Sequence, residues 1–365
     1  MNRWLDTPLT AALGCRYPIV QTAMGWVADA NLVIATTEAG GFGFLAGATI
    51  ASDQLEGEIR KVIAATGGSN FGLNFHMFQD NAAQCVDLAI QYRLRAVSYG
   101  RGPDKQTIAR FKAANVLCIP TVGALKHALK AVELGADLIT IQGGEGGGHT
   151  GGVPSSILLP QVLAAVKVPV IAAGGFATGR GLASVLAAGG AGIAMGTRFL
   201  MTRESPTPAA TLERYLKVND PQLVRVTTAV DGMRHRMIEN RFINHLERAS
   251  AFGRLRIALG SAWSWKQQTG MSLGHMAAVF VRALREDPAA LSQVVMAANQ
   301  PVLLQRSMVD GVPDEGILPS GQVAAAIGAR RVGHLTRQRL GQQQHGGVTG
   351  LERVVEVPAR PGVGV

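Results

Sequence analysis

Short runs of apolar, often β-branched residues recur along the first two hundred positions of the chain. Eight such runs start 21 to 30 residues apart, and each is followed by a stretch of Ala, Leu, Glu and Lys that suits a helix. This repeat is typical of parallel βα units with right-handed crossovers. The pattern predicts strands at 18–21, 42–46, 71–74, 96–98, 117–121, 138–142, 168–172 and 192–195.

Eight βα units favour an α/β protein with a closed (β/α)8 barrel, the TIM barrel. Three of the intervening helices have clear end signals, at Asp29–Ala39, at Lys126–Leu134 before Gly135, and at Arg180–Ala188 before Gly189. Because periodicity alone does not show closure, an open doubly wound sheet is the alternative.

The pattern changes after position 204, where strand signals disappear and the sequence becomes helical to about position 309. We predict a barrel over 1–205, a helical cap that forms a substrate subdomain over 206–310, and a closing segment over 311–345. The last residues, 346–365, are rich in Gln, Gly and Pro, and we expect a flexible tail there.

Composition narrows the class of protein. The three cysteines, Cys15, Cys85 and Cys118, are far apart and form no Cys-x-x-Cys pair, which favours a reducing cytoplasm. No apolar stretch has the length and continuity of a signal peptide or a membrane span. The net charge of +10 is dispersed and lacks interleaved aromatics, so we expect no nucleic acid and favour small polyanions such as nucleotides or CoA thioesters. A homo-oligomer is left open.

Two glycine turns follow the last two predicted strands. Residues 172–176 read AAGGF and residues 195–199 read MGTRF. Backbone amides freed by such turns bind anions, and the ends of strands seven and eight are the usual phosphate position of a barrel. We therefore predict a phosphate site at Gly174, Gly175, Gly196 and Thr197.

The sixth strand is followed by a loop with seven glycines in ten residues, 143–152, and one histidine, His149. Such a loop lets a flat ligand approach closely. His149 is a candidate general base or hydrogen-bond donor, whereas the other histidines, His235 included, are expected to be structural. For Glu145 in the same loop, an orienting carboxylate and a solvated side chain are equal alternatives.

Polar or main-chain groups near other strand ends complete the candidate site. Main-chain groups of Met24 and the side-chain amides of Asn74 and Gln142 are expected at the edge of a flat ring such as isoalloxazine. Neither a Walker A sequence nor a Rossmann fingerprint is present. Metal ligands are not clustered along the chain, no nucleophile elbow occurs, and no lysine ends a predicted strand as a Schiff-base aldolase requires.

With these motifs in view, residues 18–204 resemble the nitronate monooxygenase family, formerly the 2-nitropropane dioxygenases, which includes flavin enoyl-ACP reductases and NADH:quinone reductases. The resemblance implies an FMN barrel with a helical substrate domain and places His149 at the catalytic histidine. It also implies that Asn74, Gln142 and Gly147 lie near the flavin, with Gly174, Gly175, Gly196 and Thr197 at its phosphate. The chain departs from some relatives at Thr121 and Gln142, where those carry a basic and an acidic residue.

The second half resembles an actinobacterial branch linked to the degradation of steroid rings as CoA thioesters. The motifs are 226–236, with VDGMRHR at 230–236, then QVVMAAN at 293–299 and LPSGQV at 318–323. Arg234, Arg236, Arg241 and Arg248 would suit a CoA phosphate, or they are solvated helix residues.

Three functions follow from this reading. The first is an FMN-dependent oxidoreductase that passes a hydride between NAD(P)H, flavin and an activated, carbonyl-conjugated acyl-CoA. The second is a nitronate monooxygenase, in which His149 abstracts a proton from a nitroalkane or assists nitronate binding. The third is a non-redox barrel that binds a phosphorylated ligand.

Overall fold

The structure is a computed structural model that describes residues 3–77, 79–100, 102–249 and 300–327. Residues 250–299, which make up about half of the expected helical cap, lie outside the described residues. So do residues 328–365, which comprise about half of the expected closing segment and the whole of the expected tail. No helix among the described residues is long and apolar enough to cross a membrane.

The described strands match the eight predicted runs and add three short ones. They are β1 (Ile19–Gln21), β2 (Phe42–Leu45), β3 (Gly72–Phe75), β4 (Ala96–Tyr99), β5 (Leu117–Val122), β6 (Ile139–Gln142), β7 (Gly148–His149), β8 (Val170–Ala173), β9 (Gly192–Met195), β10 (Val224–Thr227) and β11 (His235–Ile238).

The helices of the barrel alternate with its strands, as the repeat predicts. The described α-helices are α1 (Pro8–Leu13), α2 (Ala30–Glu38), α3 (Ser52–Thr66), α4 (Ala82–Gln91), α5 (Lys105–Ala113), α6 (Leu125–Leu134), α7 (Ser155–Ala165), α8 (Gly179–Ala187), α9 (Thr197–Leu200), α10 (Ala209–Leu216), α11 (Arg241–Arg248), α12 (Gln300–Met308) and α13 (Ala324–Ile327). Short 3-10 helices occur at Arg3–Leu5, Gly47–Thr49 and Pro221–Leu223.

Eight parallel strands close into a barrel in the order β1-β2-β3-β4-β5-β6-β8-β9. Closure depends on the pairing of β1 with β9, in which Val20 lies opposite Ala194. The (β/α)8 prediction is therefore confirmed, and the open doubly wound sheet is wrong. The last predicted strand, 192–195, has the same bounds as β9. The seventh, predicted at 168–172, corresponds to β8, which begins two residues later because Pro169 has no N–H to donate to a ladder.

The barrel interior is apolar, and one end is covered by α1. Leu9 and Leu13 of this helix are fully buried and pack in one cluster with barrel residues such as Phe42 and Ile171. Leu9 approaches Gly192, the first residue of β9. Since α1 covers the end at which the strands begin, ligand-binding groups are left to the loops at the other end, which follow the strands.

The described chain forms two compact units. Among the described residues, the first consists of those within 3–146, 150–206 and 326–327, and the second of 147–149, 207–249 and 300–325. The loop after β6 therefore contributes to both, because Gly147, Gly148 and His149 belong to the second unit while the residues on either side belong to the first.

The second unit contains an antiparallel sheet in the order β10-β11-β7. The expectation of an all-helical segment after position 207 is therefore wrong at β10 and β11. Both are four residues long with arginine inside them, which hides the alternation of buried and exposed positions. The core of this unit joins the sheet to α11 and α12 through Met237, Ile243, Leu246 and Leu303, all at most 1% exposed.

Candidate functional site

The turn after β8 forms a backbone cradle for an anion. Gly174 and Gly175 have φ angles of 95° and 83°, a region that side chains other than glycine rarely adopt. A Cβ on Gly174 would lie 3.0 Å from the carbonyl oxygen of Gly143. Among the described residues, the N–H groups of Gly175 and Phe176 have no acceptor. Two freed amides at a barrel strand end can bind an anion, and the phosphate site at this turn stays a prediction.

The neighbouring turn after β9 lies against the loop after β1. Gly196 precedes α9, and a Cβ there would be 3.0 Å from Thr22 Oγ1 and 3.4 Å from Met24 Sδ. Thr197 is the first residue of α9. Because β8 and β9 are paired, the two predicted phosphate turns follow adjacent strands.

A carboxylate and a hydroxyl hold the cradle together. Glu145 accepts hydrogen bonds from the Ser155 backbone N–H through Oε1 and Oε2, at 3.1 and 3.0 Å, and from Ser155 Oγ at 3.0 Å. Ser155 Oγ also lies 2.9 Å from the carbonyl oxygen of Gly174. Since Ser155 begins α7, a negative charge there suits the helix dipole. Of the two alternatives for Glu145, the structure shows the orienting one.

Some of the main-chain and amide groups predicted to contact the edge of a flavin ring already form hydrogen bonds within the protein. The Met24 carbonyl accepts the N–H groups of Val27 and Ala28, so within the described part of the chain its own N–H is the main-chain group left for a ligand. Asn74 Nδ2 donates to the Ser98 carbonyl oxygen at 3.0 Å. The Gln142 side chain lies against Gly146, where a Cβ would be 2.8 Å from Nε2. Whether Met24, Asn74 and Gln142 contact a flavin stays a prediction.

His149 lies in the second unit as part of a cluster of three ionisable side chains. Gly148, with a φ of 71°, carries the chain into β7, where His149 pairs with His235 of β11. The two imidazole rings stack with centroids 4.5 Å apart. His149 Nε2 lies 2.5 Å from Asp231 Oδ2, and the His149 side chain is 42% exposed while that of Asp231 is fully buried.

The buried members of the cluster have shifted pKa values. Burial acts to raise the pKa of Asp231, but the hydrogen bond and charge of His149, the N–H of Met233 and the charge of His235 together bring it below its ordinary value. Burial, followed by the nearby charge of His149, lowers the pKa of His235 to about 4, although Asp231 acts in the opposite direction. Asp231 is therefore a carboxylate and His235 a neutral imidazole at neutral pH.

The same three residues offer potential metal ligands within 4.8 Å of one another. The 2.5 Å between His149 Nε2 and Asp231 Oδ2 is too short for two ligands of one tetrahedral ion, which lie about 3.3 Å apart at ordinary bond lengths. We therefore interpret the pair as a charge-assisted hydrogen bond. It fixes the tautomer of a neutral His149 ring, with the proton on Nε2 and the accepting lone pair on Nδ1.

The profile of one protein family, described as nitronate monooxygenase, matches residues 6–87 and 78–332. The chain belongs to the nitronate monooxygenase family. It is thus an oxidoreductase of a flavoprotein family, and the family resemblance drawn from the motifs is confirmed.

Two curated members of the nitronate monooxygenase family are close in sequence. Both are named (3aS,4S,5R,7aS)-5-hydroxy-7a-methyl-1-oxo-octahydro-1H-indene-4-carboxyl-CoA dehydrogenase. The one from Mycobacterium tuberculosis is 46% identical over 88% of this chain and 91% of its own length. The one from Rhodococcus jostii is 43% identical over the same shares of the two chains. The solved structure of FabK from Thermotoga maritima superposes with a TM-score of 0.71 at 26% identity, covering 92% of this chain and 98% of that one.

Asp231 and His235 are the residues of this nitronate monooxygenase-family site that sequence reasoning missed. Both lie in the VDGMRHR segment that we used only to recognise a branch. We expected His235 to be structural. It is buried, but it also stacks on His149 and so belongs to the candidate site. The spacing of Asp231 and His235 carried no signal, because Asp231 lies in a turn and His235 begins β11, where the helical rule for residues four apart does not hold.

The four predicted phosphate-binding arginines have different surroundings. Arg234 is exposed, and Arg236 donates to the Val224 carbonyl oxygen at 2.9 Å across the sheet. Arg241 and Arg248 line a cavity on α11. The structure therefore brings two of the four together.

Proposed function

We propose that this protein is an FMN-dependent dehydrogenase of a CoA thioester whose acyl group is a hydroxylated, ketone-bearing bicyclic carboxylic acid. The names of the two close relatives, which match about nine-tenths of this chain, support that substrate class. The observation that carries the chemistry is the hydrogen bond of His149 to the buried carboxylate of Asp231. An oriented histidine of this kind is suited to removing a proton from a bound substrate.

Dehydrogenation removes a hydride from one substrate atom and a proton from another. Bound FMN supplies the two-electron acceptor for the hydride. His149 takes the proton, from a hydroxyl or from an acidified carbon, and becomes an imidazolium. Asp231 stabilises that charge because it is an unprotonated carboxylate with no exposed surface. His235 stays neutral beside it and does not compete for the proton.

The proposed cofactor is FMN, held through its phosphate by Gly174, Gly175, Gly196 and Thr197. The proposal is supported by the N–H groups of Gly175 and Phe176, which have no acceptor among the residues that the structure describes, and by the absence of side chains at the glycines. NAD(P)H or its oxidised form is the proposed hydride partner of the flavin.

The proposal is tested by purifying the protein and identifying the released flavin by mass. We expect FMN, and we expect the hydroxy-oxo-octahydroindene carboxyl-CoA to bleach the oxidised-flavin band under anaerobic conditions. A colourless protein that cannot be reconstituted with FMN would overturn the cofactor. The substrate assignment would be overturned by a protein with full FMN content whose flavin is not bleached by the thioester and whose reduced flavin does not react with the dehydrogenated product.

Nitronate oxidation is the second candidate, favoured by the family profile and by the same base at His149. Oxygen consumption is measured with an alkyl nitronate in the absence of nicotinamide and compared with turnover of the CoA thioester. If the nitronate alone supports turnover, this function replaces the dehydrogenase.

A further inference from the structure

A basic cavity lies on one face of α11 in the second unit. Its volume is about 690 Å³, within the range of small-molecule pockets. Four of its residues recur at helical spacing on α11, so their side chains share one face. The lining residues are Arg214, Glu239, Asn240, Arg241, Asn244, His245, Arg248 and Asp314.

The acidic groups of this cavity are already paired. Asp314 forms an ion pair with Arg214 at 3.1 Å. Glu239 accepts a hydrogen bond from Asn244 Nδ2 at 2.9 Å and lies 4.0 Å from Arg225. Among the described residues, by contrast, the guanidinium groups of Arg241 and Arg248 have no carboxylate partner. The unbalanced charge in the cavity is therefore positive.

The opposite face of α11 holds the cavity in place. Ile243 and Leu246 are fully buried in the core of the second unit with Leu303. Asn240 caps the helix by accepting the Ile243 N–H at 2.9 Å and donates to the carbonyl oxygens of Pro313 and Gly316. Arg241 and Arg248 thus project from an anchored helix, which reduces the entropy lost when they bind a ligand.

We propose that this cavity binds the phosphate groups of the nucleotide part of the CoA thioester. The proposal rests on the dehydrogenase function above and assigns the part of the protein that recognises CoA. Guanidinium groups bind phosphates through two parallel hydrogen bonds, which an ammonium cannot make.

The position of the cavity along the chain agrees with such a ligand. His235, which stacks on the proposed base, begins β11, and Glu239 at the cavity follows the last residue of that strand. Four residues at the rise of a β-strand span about 13 Å. The extended pantetheine arm of CoA joins an acyl group to its phosphates over a distance of that order. The acyl group would lie at His149 while the nucleotide occupies the cavity.

The test is the double variant Arg241→Gln, Arg248→Gln of the full FMN-loaded enzyme. We expect KM for the CoA thioester to rise by roughly tenfold for each arginine, with kcat unchanged. KM for the same acyl group on pantetheine, which lacks the nucleotide, should not change. The control is Arg110→Gln, which removes an exposed guanidinium paired with Asp87 in the barrel unit and should leave both values unchanged.

A nicotinamide also carries phosphates, so its KM is measured in parallel. A rise in the nicotinamide KM with none for the CoA thioester would overturn the proposal and assign the cavity to the dinucleotide. Binding of adenosine 3′,5′-bisphosphate, measured by calorimetry, is expected for the wild type and lost in the double variant.

Calorimetry separates the two proposals. If the wild type turns over no CoA thioester, the dehydrogenase is refuted. If the wild type nevertheless binds adenosine 3′,5′-bisphosphate and the double variant does not, the cavity is still supported as a nucleotide site. Turnover of the CoA thioester with the same KM in wild type and double variant refutes the cavity and leaves the dehydrogenase standing.

Discussion

Replacing Asp231 by Asn tests whether the buried carboxylate is needed by His149. The substitution keeps the shape of the side chain and an oxygen that can accept the Met233 N–H, which Oδ1 does at 2.9 Å. It removes the negative charge 2.5 Å from His149 Nε2. Hydrogen bonds to charged groups contribute about 1.5–3 kcal/mol. Because each 1.36 kcal/mol is tenfold in rate, the expected loss in kcat is about ten- to a hundredfold.

The assay is the anaerobic rate at which the CoA thioester bleaches the flavin, followed by stopped flow. FMN content and the thermal unfolding temperature are measured on the same preparation, and both should match the wild type. Asp87→Asn, which changes an exposed carboxylate of the barrel unit paired with Arg110, is the control and should keep the full rate.

A double variant with His149→Ala makes the result specific. If Asp231 acts only through His149, adding Asp231→Asn to His149→Ala should cause no further loss, because residues that act as one unit are not additive. The reasoning would be refuted if Asp231→Asn retained full flavin and kept its rate within twofold. It would also be refuted if the two losses simply added.

Three further changes probe the parts of the site. Gly175→Ala forces a φ of 83° on alanine, and its Cβ would meet nothing closer than 3.5 Å; we expect loss of FMN on gel filtration, whereas Gly67→Ala, with φ 72° and open space, should cost about 1 kcal/mol of stability and keep FMN. Glu145→Gln weakens the bonds to Ser155 and should lower the unfolding temperature by a few degrees. A histidine of the unfolded chain is protonated below its ordinary pKa of 6.5, whereas folded His235 is protonated only below about 4. The free energy of unfolding should therefore fall by about 3 kcal/mol as the pH is lowered from 6.5 to 4, and denaturant titrations should show a smaller fall in His235→Gln.

The barrel could be predicted because its signals are local. Each barrel strand is a largely apolar run of three to six residues. Several helices begin or end at a residue with a defined role, such as Asp29, which accepts the Leu32 N–H, or Gly135, which has a left-handed backbone. The eightfold repeat then restricts the topology. The glycine turn after β8 was predicted by the same reasoning, since Gly174 and Gly175 have the positive φ that favours glycine. Gly196 after β9 has a φ of -104°, and glycine suits that position because Thr22 Oγ1 lies close to it.

The histidine cluster could not be predicted in this way because it depends on contacts between distant residues. Asp231 follows His149 by 82 residues, and the two meet only because β7 pairs with β11. A two-residue strand such as β7 leaves no alternating pattern in the sequence. β10 and β11 were missed for a related reason, since Arg225 and Arg236 occupy half-buried positions and form hydrogen bonds within the sheet or with α11.

The glycines of the loop after β6 show how packing and ligand binding become confused in a sequence. A Cβ on Gly143 would lie 2.0 Å from Ser155 Oγ, and one on Gly147 would lie 2.5 Å from the backbone of Ser320. Both glycines are therefore required by the protein itself, before any ligand is considered. Loss of activity in a variant of Gly143 or Gly147 would not identify a flavin contact. The pair Gly175→Ala and Gly67→Ala can do so, because both residues have a positive φ, neither would place a Cβ closer than 3.5 Å to the surrounding atoms, and only Gly175 lies at the proposed phosphate cradle.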